Sequence, residues 1–275
     1  MNRRRKLLMM SGGVSAEAKA LFNAYKTRVV TDTGFVNSDT KTKKLFNDSV
    51  NNSLRDNLVF HVNSDAGNRG DVNKVYSIDG EANDFVQTVG ANQPALRAQG
   101  WDFNGTTDRL EGGNPISMQT AGDKCIMAWA KADEIPSDFG AIFGAGFLAV
   151  ESGIGIYINN TSYFAQVRQG LTVRSAEITF ADADYSPTDF FHIACVRRGE
   201  VTELWLNGVL VDTNATAGAI NSTPSRPFRI GNRQTQNEAL FFNGIIDDCR
   251  AYNFAPSGDK ITQIYNQTKA KYGIS

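Results

Sequence analysis

The sequence predicts an all-β fold, an antiparallel two-sheet sandwich that follows a short α-helical N-terminal segment and closes with a C-terminal helix. Three observations carry this. More than ten short runs rich in β-branched and aromatic residues occupy the chain from Leu58 onward. Turn signals separate many of them, among them Asn104-Gly105, Pro136-Ser137-Asp138, Asn207-Gly208 and Asn243-Gly244. Helical periodicity is confined to the two ends. Many short strands with hairpin turns and little helix form the pattern of a sandwich.

The chain opens on a basic arm, residues 1–13, expected to be solvated and flexible. Its apolar stretch, Leu7 to Met10, has four residues, whereas a secretory core needs roughly seven or more. No signal peptide is therefore expected, and synthesis in a cytoplasm follows. No stretch approaches the ~20 apolar residues of a membrane span, so no membrane insertion is expected. Residues 14–53 form a helical docking or oligomerisation segment. After Ser15, a plausible N-cap, Ala18, Leu21, Phe22, Tyr25 and Val29 recur at helical spacing, with Glu17 in the first turn and Asp32-Thr33-Gly34 at the end. A weaker pattern uses Leu45, Phe46, Val50 and Leu54, with Lys41, Lys43 and Lys44 opposite. Two short amphipathic helices cannot form a core alone. Leu21, Phe22 and Tyr25 are thus docking residues, for the sandwich or for another subunit.

Residues 54–275 make up the sandwich domain. The predicted strands are LVFHV (58–62), KVYSI (74–78), DFVQTV (84–89), RAQGWDF (97–103), CIMAWAK (125–131), AIFGA (141–145), GIGIYI (153–158), YFAQVR (163–168), EITF (177–180), FFHIACVRR (190–198), TELWLNG (202–208), FRIG (228–231) and GIIDDCRAY (244–252). One hairpin shows the logic. Leu204 and Leu206 alternate with Glu203, Trp205 and Asn207, and Asn207-Gly208 supplies the positive φ angles of a two-residue turn. The closing helix runs from Lys260 to Lys271, with Ile261, Ile264 and Tyr265 on one face.

Composition narrows the function. The 275 residues are 41% hydrophobic, carry a net charge of −1 and have a pI near 6.2, so no global electrostatic footprint for nucleic acid is present. Cys125, Cys195 and Cys249 are sparse, odd in number and set in apolar runs, which points to buried free thiols. Arg69-Gly70-Asp71 spells an adhesion tripeptide that chance explains. Gly144 to Ala149 matches G-x-G-x-x-A but opens no helix, so a nucleotide site is not expected.

With these motifs in order, the region from about Leu54 to the C-terminus resembles the laminin-G-like domains of the concanavalin A-like lectin/glucanase superfamily. LVFHVNSDAGN looks like the first strand of those domains, and DFNGTTDRLE (102–111) is similar to their FDGxxDYL-type strand and turn. CIMAWAKADEIP, with Trp129 at the usual aromatic position, and AIFGAG resemble the two strands that follow. FFHIACVRRGEVTELWLNGVLV resembles the family's His-containing hairpin, and FRIGNR with FFNGIIDDCRAYN resembles its IDD-containing ending. The resemblance implies a concanavalin A-like jelly-roll sandwich. A softer resemblance joins AYKTRVVTDTGFV and KVYSIDGEANDFVQT to segments of phage virion proteins, especially those of Bacteroidetes phages.

The chemistry implied is binding rather than catalysis. Glucanases on this sandwich carry two carboxylates at E-x-D-x(x)-E spacing. The nearest clusters here, Glu200/Glu203 and Asp247/Asp248, do not fit, so no catalytic residues and no enzyme activity are expected. His192 is expected to be structural, and His61 has no partner signature. The resemblance implies one structural calcium, with Asp65, Asp108, Asp247 and Asp248 as candidate ligands, because calcium takes hard oxygen donors. For Asp247 and Asp248 the alternative is pairing with arginines or capping of turns. Phe139, Tyr163 and Tyr185, in or near predicted loops, are candidate stacking residues for a glycan. The expected function is a virion structural protein, a tail, fibre or head-decoration subunit. It would be homo-oligomeric, a trimer, contacting other virion proteins and possessing an adhesive sandwich for host-surface glycans. A free carbohydrate-binding lectin is the alternative, followed by a glycosidase.

Overall fold

The computed structural model describes residues 16–33, 57–66, 72–78, 83–119, 122–146, 153–169, 172–215, 227–233 and 240–275. The basic arm, the N-cap Ser15, the second helical pattern around Leu45 to Leu54, the Arg69-Gly70-Asp71 tripeptide and the end of the Gly144–Ala149 match lie outside them.

Two large antiparallel sheets face each other. With strands numbered along the chain, the first sheet runs β14 (Val209–Ala215), β13 (Val201–Leu206), β12 (Phe191–Arg198), β7 (Lys124–Ala132), β18 (Asn243–Tyr252), β5 (Gly100–Asn104) and β4 (Ala95–Arg97). The long β18 lies along β7 on one side. On its other side it pairs first with β5, through residues 243–246, and then with β1 (Leu58–Val62), through 249–252. The second sheet runs β11 (Thr172–Thr179), β10 (Ser162–Gln169), β9 (Gly153–Ile158), β8 (Gly140–Ala145), β15 (Phe228–Ile230), β6 (Leu110–Glu111), β3 (Phe85–Val86) and β2 (Lys74–Val75). A small ladder joins β16 (Asn232–Arg233) and β17 (Leu240–Phe241).

Period-two alternation builds the core. Along β7, Ile126, Ala128 and Ala130 point between the sheets, and along β12, Phe191, Ile193 and Cys195 do the same. Phe60, Phe85, Phe143 and Phe228 meet edge-to-face or tilted at ring separations of 5.0–6.5 Å. The opposite face of the first sheet is also apolar. Cys125, Met127, Ala194, Val196 and Tyr252 are covered by Ile261 and Ile264 of the C-terminal helix, Gly258–Thr268. That explains why β7 and β12 read as nearly continuous hydrophobic runs: both faces are buried. Ser257 caps the helix by accepting from the Lys260 amide. Trp129 donates to Thr268 Oγ1 at 2.8 Å and stacks on Tyr272 at 4.2 Å.

The N-terminal helix, Ala16–Thr33, buries Ala18, Tyr25 and Val29 against Tyr76 and Ile78, with Leu21 and Phe22 packed alongside. Its docking partner here is therefore the chain's own sandwich domain. Arg28 donates to the Ser77 carbonyl and lies 3.6 Å from Asp84. At the far edge, side chains of β14 satisfy the backbone of β11: Asp212 accepts from the Glu177 amide at 2.7 Å, and Asn214 donates to the Ser175 carbonyl at 2.9 Å. These bonds occupy edge groups that would otherwise invite another strand.

Some expectations shift. Asn207 and Gly208 adopt φ 50° and 79°, as the tight hairpin requires. Asn243-Gly244, expected to turn, instead opens β18. A Cβ on Gly244 would lie 2.2 Å from the Lys131 carbonyl oxygen, so this glycine serves close strand approach. RAQGWDF is two strands, β4 and β5, reversing at Ala98-Gln99, a pair without a turn signal.

Candidate functional site

Three connections converge at one end of the sandwich. The first is the turn after β5. Asn104 Oδ1 accepts from the amides of Thr106, Thr107 and Asp108 at 2.9, 2.9 and 3.2 Å, and Asp108 Oδ2 accepts from the Asn104 amide at 3.1 Å. An Asn side chain standing in for backbone acceptors makes this turn rigid. Gly105, at φ 71°, is required there, since a Cβ would sit 2.8 Å from Asn243 Cβ. The second connection, between β7 and β8, brings Glu134, Asp138 and Phe139. The third is the entry to β18, where Asn243 donates to Glu134 Oε1 at 2.9 Å and the Asp133 amide donates to the Asn243 carbonyl at 3.0 Å.

Between them lies a cleft of about 230 Å³. Phe139, half-buried and 5.5 Å from the Phe164 ring, gives it an aromatic wall, and Ile158 and Phe242 lie beneath. Asn104, Asn243, Glu134 and Asp138 supply amides and carboxylates at its rim. An aromatic face beside convergent hydrogen-bonding groups is the chemistry that holds a sugar ring, through its C–H face and its hydroxyls.

A second polar group is buried where β18 changes neighbours from β5 to β1. The ladder to β7 slips between Asp247 and Arg250, and Asp248 adopts φ 50°. Arg250 grips Asp248 with two bonds, 3.1 and 3.0 Å, and His61 Nε2 contacts the same carboxylate. Burial opposes the Asp248 charge, but Arg250 and His61 hold its carboxyl well below the usual range. Burial, seconded by Arg250, pushes His61 down despite Asp248. His61 presents Nε2 to the Asp248 carboxylate, and its buried Nδ1 has no hydrogen-bond partner among the described residues. Asp247 accepts from the Ser64 amide at 2.7 Å and from Tyr272 at 2.9 Å, and it pairs with Lys271. Lys271 also reaches Asp65 at 3.1 Å. Burial works against the Lys271 charge, yet Asp247 and Asp65 keep its pKa above the ordinary value.

These placements sort the residues expected from the sequence. Phe139 lines the cleft. Tyr163 does not: it is 0% exposed and packed on Phe180 and Phe191, because with Ala165 and Val167 it lies on the face of its strand that points into the core. Tyr185 is 46% exposed but is not among the residues lining the cleft. The four candidate calcium ligands do not form one donor set. Asp108 serves the Asn104 turn, Asp248 is matched by Arg250, and Asp65 and Asp247 share the Lys271 ammonium. No group of three acidic, His or Cys side chains suited to a metal occurs among the described residues. As placed, these residues do not fit a calcium ion: Lys271 and Arg250 take oxygens of Asp65, Asp247 and Asp248, and Asp108 is spent on its own turn. Glu203 is likewise paired with Arg198 at 2.8 Å. The sequence reading missed Glu134, Asp138 and Asn243. The Asn104-Gly105, Pro136-Ser137-Asp138 and Asn243-Gly244 turn signals marked this end of the sandwich without assigning these side chains to a site.

A family model described as concanavalin A-like lectin/glucanases superfamily matches residues 104–262, more than half of the chain. The chain belongs to this superfamily. Solved structures agree on the concanavalin A-like fold. The binding domain of Paraclostridial mosquitocidal protein 1 is similar with a TM-score of 0.61 at 14% identity, covering 80% of this chain and 56% of that one. The receptor-binding domain of botulinum neurotoxin D gives 0.59 at 13%, with 78% and 54% covered. A Trypanosoma rangeli sialidase solved with a difluoro-KDN ligand gives 0.55 at 14%, with 78% and 33% covered. The chain spans about half the length of the toxin domains it matches. No curated protein sequence matches it. Among the described residues, no helix of this superfamily member is long and apolar enough to cross a membrane.

Proposed function

We propose that this chain is a non-catalytic glycan-binding protein of a phage particle, a tail, fibre or head-decoration subunit that presents its concanavalin A-like sandwich to host-surface sugars. The observation that carries the binding reading is the cleft walled by Phe139 and rimmed by Asn104, Glu134, Asp138 and Asn243. Likeness to toxin binding domains, one of them solved with N-acetylneuraminic acid, supports sugars as the broad ligand class, while the charge of the sugar is a matter for the lining of this cleft. The carboxylates remote from the cleft, Glu203, Asp247 and Asp248, are held by Arg198, Lys271 and Arg250, so they serve structure rather than hydrolysis.

The particle reading rests on the two segments that resemble virion proteins. Tyr25 and Val29 of one pack on Tyr76 and Ile78 of the other, so together they form a single packed unit on the sandwich. Such a unit suits attachment to a symmetric assembly, and the chain is proposed to act as a trimer. Glycan-array binding by the full chain tests the first part: binding that Phe139→Ala removes is expected, and no binding to any glycan would reject it. Light scattering tests the assembly part, where a trimer is expected and a monomer would reject it.

A further inference from the structure

Resting on the glycan-binding reading, we infer that the cleft selects neutral or amine-bearing glycans and excludes acidic ones such as sialylated or sulfated chains. The inference comes from the charge of the wall. Among the described residues that line it there is no Lys, Arg or His, while Glu134 and Asp138 contribute two carboxylates. Recognition of a carboxylate or sulfate calls for cationic donors, above all the planar fork of arginine. Nothing of that kind lines this cleft. The groups present match hydroxyls instead: the carboxylates accept from them, and the Asn243 amide, with one N–H on Glu134, has its carbonyl oxygen and its second N–H to offer, whereas the Asn104 amide is spent on its own turn. A protonated amino sugar would gain a charge-assisted bond at the same place.

The geometry fixes one of the carboxylates. Asn243 donates to Glu134 Oε1 at 2.9 Å, and the Asn243 main chain is tied to Asp133 at 3.0 Å. Glu134 is therefore held toward the rim rather than left to swing away from an anionic ligand. An anionic sugar would meet like charge at short range, and both carboxylates are exposed, so the repulsion is screened by salt.

The test uses the full chain on matched glycan pairs that differ only by a terminal sialic acid, a sulfate, or an amine in place of acetamide. Binding of the neutral member about tenfold or more above its acidic partner is expected, together with a gain for the amine. The discrimination should shrink in 0.5 M salt and vanish in the Glu134→Gln, Asp138→Asn double variant, which keeps the hydrogen-bonding shape. Equal or stronger binding of acidic members would overturn the inference while leaving the glycan reading intact. Discrimination that persists in the double variant would also overturn it, because charge would not be its cause. Absence of binding to every glycan would defeat the underlying reading itself.

Discussion

Replacing Asp248 by Asn tests whether the buried charges at the β18 slip hold the two halves of that strand's edge together. The side chains of Asp248 and Arg250 are 1% and 4% exposed, and two bonds of 3.1 and 3.0 Å join them. Asn keeps the size of the side chain and tolerates the φ of 50° at this position. The substitution therefore removes charge with little change of backbone. It leaves the Arg250 guanidinium buried opposite a neutral amide, and breaking a buried pair in this way costs about 3–5 kcal/mol. Urea unfolding, followed by the fluorescence of the buried Trp101 and Trp129, reads the loss as a lower midpoint. Arg250→Met in the Asp248→Asn background should restore part of it, since no unpaired charge then remains. A loss below ~1 kcal/mol, or an Arg250→Met change that costs as much in the variant as in the parent, would refute the reasoning.

Three further outcomes follow from the same structure. Burial lowers the His192 pKa to about 4, and its folded pKa lies below the unfolded value, so stability is full above pH 6.5 and falls as pH drops from 6.5 towards 4. The loss from His192 is about 3 kcal/mol across that window, and His192→Phe should remove that share from a pH series of urea midpoints, leaving the share of buried His61. Ile264→Ala empties a buried site beneath the C-terminal helix and should cost about 2–5 kcal/mol, seen by calorimetry as a lower Tm. Chelation by EDTA should leave Tm unchanged, because Lys271 and Arg250 already neutralise the aspartates; a fall in Tm would show a bound ion.

Where the physics is local, the sequence announces the structure. LVFHV and GIGIYI emerge at their predicted bounds as β1 and β9, and Asn207-Gly208 turns as its positive φ angles require. The C-terminal helix was visible because Ile261 and Ile264 share one face. KVYSI and DFVQTV shorten to two-residue strands, and beyond the first of them Tyr76 and Ile78 pack on the N-terminal helix. The candidate site was legible only in part. Phe139 was identifiable as an aromatic beside a turn, whereas Glu134 and Asn243 stand 109 residues apart and meet only through the pairing of β18 with β5 and β7. Tyr163 misled for a physical reason: a residue at the start of a strand, next to a loop, can point either way, and here it points inward. For the IDD aspartates the sequence leaves calcium binding and arginine pairing both open; the Arg250 partner of Asp248 is two residues away, whereas Lys271 and His61 lie far off in sequence and meet them only in the fold.

The most direct test of the glycan-binding account is a nuclear magnetic resonance titration of the full chain with its best array ligand. The account predicts saturable amide shifts at Thr106, Glu134, Phe139 and Asn243, and their loss in Phe139→Ala. Shifts that spare these residues and gather elsewhere, around Tyr185 or the N-terminal helix, would contradict it.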